Sequence, residues 1–83
     1  MPHVQVIKER DDILPYLESR RLVQQYKKAK DHLLLGKPQQ VHFKKRKPKS
    51  DECWSFRINK QFRAIGYFEK AGIFIVYEID NHQ

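Results

Sequence analysis

Arg57 and Arg63 flank a short polar break in an otherwise aromatic and aliphatic stretch, WSFRINKQFRAIGYF. Guanidinium groups bind phosphate oxygens bidentately, so two of them on one side of a sheet form a site for a phosphate. Whether they share a side is a question of parity, because successive strand side chains point to opposite faces. With a three-residue loop centred on Lys60, Ile58 pairs with Phe62, Phe56 with Ala64, Trp54 with Gly66, and Arg57 with Arg63. A four-residue loop sets Arg63 against Ile58 and puts a guanidinium among core residues, so the shorter loop is the expectation. Like charges directly opposite each other destabilise a ladder unless something offsets them. The next strand offers Glu78 and Asp80 on the Arg63 side, and His82 continues that parity. One reading is a surface ion pair at Arg63, worth about 0–1 kcal/mol. The other is an anion site in which His82 gives or takes a proton near neutral pH.

The elements that position these residues are read from hydrophobic period. Val4, Val6 and Ile7 suggest a brief first strand. Asp11 and Asp12 suit the start of a helix near Ile13, with Pro15 tolerated in its first turn. From Arg20 to Leu35, the residues Leu22, Val23, Tyr26, Ala29, Leu33 and Leu34 recur at helical spacing, with Lys27, Lys28, Lys30 and Asp31 on the other side. Gly36 and Pro38 stop that helix. The period then falls to two: Val41 and Phe43 alternate with polar neighbours as in a half-buried strand. After a charged surface loop come three strand-like runs, Cys53–Asn59, Phe62–Phe68 and Ile73–Ile79, joined by short connectors as in an antiparallel meander. On the first run Trp54, Phe56 and Ile58 face the core, and Gly66 opposite Trp54 leaves room for the indole. On the last, Ile73, Ile75, Tyr77 and Ile79 are expected to share the core side. The fold class is α+β: an N-terminal helical hairpin packed on a small antiparallel sheet, one domain spanning 1–83.

Charge narrows the function classes. The window Lys37 to Arg63 holds nine basic and two acidic residues, which equals the net +7 of the whole chain. Basic residues interleaved with Phe43, Trp54, Phe56 and Phe62 are the footprint of a polyanion partner, RNA or DNA first. The lysine-rich loop Lys44, Lys45, Arg46, Lys47 and Lys49, together with Lys60, would hold nucleic-acid backbone. The single cysteine, Cys53, permits no internal disulfide, and no zinc spacing is present. His3, His32 and His42 form no defensible metal set, so neither metal nor cofactor is expected. No apolar run reaches the length of a membrane span and the N-terminus lacks a secretory apolar region, so a soluble cytoplasmic protein with no membrane partner is expected.

The helical hairpin, the basic loop and the Trp54–His82 segment together resemble the RelE/ParE superfamily, the toxins of bacterial type II toxin–antitoxin modules. The motif carrying the likeness is R-x-N-x2-F-R at Arg57, Asn59, Phe62 and Arg63, preceded by an aromatic. The resemblance implies a ribosome-dependent mRNA endoribonuclease, or in the ParE branch a protein that poisons DNA gyrase, held in a complex by a cognate antitoxin. In the ribonuclease branch the ribose 2′-hydroxyl attacks the adjacent phosphate, which needs a base, a cation for the crowded phosphate and an acid for the leaving 5′-oxygen. By motif position Arg57 and Arg63 match the phosphate-stabilising arginines, and His82 matches a C-terminal histidine of the YoeB-like branch. The likeness is incomplete. Where that branch has a glutamate base soon after a G-K-P-like turn, this chain has Gln39 and Gln40, and Gln83 stands where a tyrosine follows the histidine. Cys53 and Ser55 occupy positions where RelE itself uses lysines. The base would then be His82, a loop lysine, Glu78 or Asp80. The alternative is a non-catalytic member of the fold that binds RNA, the ribosome or gyrase, or only its antitoxin.

Overall fold

The computed structural model describes residues 3–46 and 53–81. Its elements are β1 (Val6–Glu9), α1 (Ile13–Ser19), α2 (Val23–Leu34), a 3-10 helix (Pro38–Val41), β2 (Lys44–Lys45), β3 (Cys53–Arg57), β4 (Phe62–Lys70) and β5 (Ile73–Asn81). The strands make one sheet in the order β1-β5-β4-β3-β2. β2 to β5 pair antiparallel, and β1 closes the far edge parallel to β5, with Val6 opposite Ile73 and Glu9 opposite Val76. The architecture is α+β with an N-terminal helical hairpin. The sheet is mixed because the brief first strand returns to pair with the last.

Both helices end in the same device. At the end of α1, Arg21 takes a left-handed φ of 58°, and the Leu22 amide donates back to the Leu17 carbonyl at 2.8 Å. At the end of α2, Gly36 takes φ 78° and the Lys37 amide donates to the His32 carbonyl at 2.8 Å. Both satisfy carbonyls left without helical partners. The first break also shortens the helix expected from Arg20, which begins at Val23. Asp12 stands at the N-cap of α1 but makes no capping bond. Its carboxylate lies 3.8 Å from Arg10 in an exposed pair that adds little.

One face of the sheet carries the core. Ile13 and Leu17 of α1 and Tyr26, Ala29 and Leu33 of α2 pack against Phe56, Ala64, Phe74 and Val76. Phe74 is fully buried, with ring centroids of Phe68 and Phe43 at 5.1 and 5.5 Å. Trp54 is half-buried and stacks on Phe43 at 5.0 Å. A polar lock joins α2 to β1. The Tyr26 hydroxyl and the Lys30 ammonium both donate to Glu9 Oε2, at 2.7 and 2.8 Å. Lys30 therefore leaves the solvated stripe assigned to it. Burial, and then the hydrogen bond and charge of Glu9, push the Tyr26 phenol far above its ordinary value of 10.0.

Two expectations are corrected. Val41 and Phe43 are buried, but not on a strand. Pro38 opens a 3-10 helix through Val41, His42 turns left-handed at φ 51°, and only Lys44 and Lys45 pair with β3. Apolar residues two apart reach the core here through a turn. On β5 the expected parity holds only in its second half. The register runs Arg63↔Asp80, Ala64↔Ile79, Ile65↔Glu78, then jumps to Gly66↔Val76, leaving Tyr77 as the extra residue of a bulge. Phe74 and Val76 thus face the helices, while Ile73, Ile75 and Tyr77 turn to the opposite face. The Trp54↔Gly66 pairing is as expected, but another ring fills the space above the glycine. A Cβ on Gly66 would collide with the Ile75 carbonyl oxygen and lie 2.7 Å from the Phe74 ring.

Candidate functional site

The site is built on the β3–β4 turn. Asn59 Oδ1 accepts from the amides of Gln61 and Phe62, each at 2.8 Å, and the Ile58 amide donates to the Phe62 carbonyl at 2.9 Å. This side chain–backbone turn fixes the loop at three residues. Ile58, Phe62 and Ala64 are then buried, and Arg57 stands directly opposite Arg63 on the face away from the helices. The asparagine of the R-x-N motif therefore sets the register that brings the two arginines together. Its own Nδ2 donates to Gln25 Oε1 of α2 at 2.6 Å, which ties the turn to the helical layer.

Both guanidinium-bearing residues are half-buried. Among the described residues neither makes a hydrogen bond or an ion pair. The ion pair anticipated for Arg63 is not formed, although Asp80 is its cross-strand neighbour. Asp80 faces Arg46 instead, at 3.9 Å. Arg46 follows β2 and Asp80 lies on β5, so this arm spans the outer face across β3 and β4. Its path crosses the row of Ser55 and Ile65, which are buried at 2% and 5% exposure although they face away from the helices. Three arginines thus converge on this end of the face, with Asp80 and Glu78 as carboxylates from β5.

The other candidate residues fall as follows. Lys44 and Lys45 are exposed on β2, and Lys60 is exposed in the β3–β4 loop. Lys47, Lys49 and His82 lie outside the described residues. Gln39 and Gln40 sit in the 3-10 helix with exposed side chains. Cys53 Sγ lies 3.1 Å from Tyr77 Oη, a contact made possible by the β5 bulge. Among the described residues no group of three or more His, Cys, Asp or Glu side chains is placed to hold a metal. No helix among them is long and apolar enough to cross a membrane.

Between α2, the 3-10 helix and the β3–β4 turn lies a cleft of about 300 Å³ with Ala29, Val41 and Ile58 among its walls. Lys28, His32 and Arg57 also line it. Arg57 borders it because β2 pairs only with Trp54 and Ser55, leaving the Arg57 end of β3 without a strand neighbour on that edge among the described residues. His32 Nδ1 is shielded from solvent and has no hydrogen-bond partner among the described residues. The sequence hides this cleft because its walls come from three separate segments.

Set against known proteins, the chain matches no family model, no curated protein and no solved structure.

Proposed function

We propose that this protein is a RelE/ParE-like toxin that cleaves mRNA on the ribosome, with Arg57 and Arg63 gripping the phosphate under attack. The observation that carries the reading is the facing arginine pair, held in register by Asn59 and left without a partner among the described residues. Two cations opposite each other strain a ladder, and an incoming phosphate relieves that strain with bidentate hydrogen bonds. In the reaction the ribose 2′-oxygen bonds to phosphorus as the P–O5′ bond breaks, giving a 2′,3′-cyclic phosphate and a free 5′-hydroxyl. The arginines offset the charge that builds on the non-bridging oxygens. Asp80, the cross-strand neighbour of Arg63, is the nearest carboxylate by register to take the 2′-hydroxyl proton, and His82 is the candidate acid. The basic residues Lys44, Lys45 and Arg46 would track RNA backbone. An acidic antitoxin segment would compete for the same surface.

A second reading, an RNA-binding member of the fold that does not cut, is favoured by one observation. Gln39 and Gln40 supply only amides beside the β3 edge, and amides cannot take a proton. Inducible expression with a growth readout and 5′-end mapping of cellular mRNA separates the two. Wild type should arrest growth and create new mRNA ends, and Arg57→Ala and Arg63→Ala should each abolish both effects. Growth arrest with intact mRNA supports the binder, and full toxicity in both variants defeats the arginine site altogether.

A further inference from the structure

The geometry points to the cleft beside Arg57 as a subsite for one RNA nucleotide flanking the phosphate held by the arginine pair, a proposal that rests on the RNA-cleaving reading. Three features of the cleft converge on a nucleotide. Ala29, Val41 and Ile58 give it apolar walls against which a base can lie. Lys28 supplies a cation for the phosphate that a nucleotide carries, and Arg57 borders the cleft. Polar side chains sit at its edge: His32 lines it, and the Gln40 side chain has no partner among the described residues. Gln25 uses its oxygen on Asn59 and keeps its amide protons for a ligand. The volume, about 300 Å³, lies at the low end of small-molecule sites, which run from roughly 300 to 1,000 Å³, so it suits a single nucleotide and excludes a folded duplex.

Arg57 belongs to both places, which fixes their relation. A strand with one phosphate between Arg57 and Arg63 has its neighbouring nucleotide within reach of the cleft, on the α2 side of the β3 edge. The cleft would then set base preference, while the arginine pair supplies sequence-independent grip.

The test is NMR titration of the wild-type chain with the four ribonucleoside 3′-monophosphates, repeated with Lys28→Glu and His32→Leu. Neither substitution touches the Arg57/Arg63 pair, and Lys28 is exposed on a helix, so its variant should fold. Expected are amide shifts at Ala29, His32, Val41 and Asn59 with unequal affinities for the four bases, and binding weakened more than threefold in at least one variant. Shifts that are absent or confined to Arg46, Arg63 and Asp80, or affinities within threefold of wild type in both variants, overturn the subsite. RNA cleavage by the wild type is measured separately. Cleavage without cleft shifts removes the subsite alone, whereas cleft shifts without cleavage remove the nuclease reading and leave a nucleotide-binding cleft.

Discussion

Arg57→Gln separates what the arginine pair does for folding from what it does for RNA. Arg57 faces Arg63 across the β3–β4 ladder and makes no ion pair or hydrogen bond among the described residues. Among the described residues the substitution therefore removes a repulsion and no hydrogen bond or ion pair. Cross-strand pairs of this kind are worth about 0.2–1 kcal/mol, so the variant should be as stable as wild type or more stable by up to that amount. Arg63→Gln relieves the same repulsion but also removes the charge facing Asp80, and its net effect should lie near zero. RNA binding should respond in the opposite direction. A hydrogen bond to a charged group is worth about 1.5–3 kcal/mol, so losing the phosphate contact should weaken binding by roughly 10- to 150-fold. It should also lower the slope of log affinity against log salt by about 0.7, the value per phosphate on a single strand. Stability is read from urea unfolding, since guanidinium salt would screen the repulsion being measured. Affinity is read from fluorescence anisotropy of a labelled single-stranded RNA across a salt series. A variant destabilised by more than about 1 kcal/mol with RNA affinity unchanged would show that Arg57 is a structural residue, and the reasoning would be wrong.

Three further outcomes follow from the packing. Gly66→Ala should destabilise by about 3 kcal/mol or more, at or above the usual range for overpacking, because a backbone carbonyl and the buried Phe74 ring both block a Cβ there; urea unfolding within about 0.5 kcal/mol of wild type would contradict the bulge register. The folded state holds the Tyr26 phenol protonated above its unfolded value of 10.0, so its contribution is complete below about pH 10 and is lost as pH rises beyond it, at up to about 1.4 kcal/mol per pH unit. Tyr26→Phe should lack that part of the alkaline slope, and identical slopes in the two proteins would refute the assignment. Asn59→Ala removes the acceptor for two turn amides and the bond to Gln25; it should cost about 1–3 kcal/mol and weaken RNA binding although Arg57 and Arg63 remain, and an unchanged affinity would show that the turn does not set the arginine register.

The hairpin was legible in the sequence because two independent constraints met on it. Parity places Arg57 and Arg63 on one face, and only a three-residue loop keeps Arg63 out of the core. The second half of β5 followed the same logic through Ile79 and Asp80. Its first half did not, since the bulge at Tyr77 depends on Gly66 and on the ring of Phe74, which no alternation within β5 reveals. The segment around Val41 misled for a related reason: apolar residues two apart mark burial, and a 3-10 helix followed by a left-handed His42 buries them as well as a strand does. The lock of Glu9 with Tyr26 and Lys30 and the cleft beside Arg57 join elements far apart in the chain. No local pattern encodes either one.

The chemistry of the RNA ends tests phosphate cleavage at the arginine pair most directly. Purified protein is incubated with translating ribosomes carrying a defined mRNA, and the products are analysed for their termini. Attack by the 2′-hydroxyl predicts 2′,3′-cyclic phosphate on one fragment and 5′-hydroxyl on the other, with cleavage lost when the nucleotide 5′ to the cut carries a 2′-deoxyribose and in Arg57→Ala and Arg63→Ala. Intact mRNA in the presence of tightly bound wild-type protein, or fragments ending in 5′-phosphate, would contradict it.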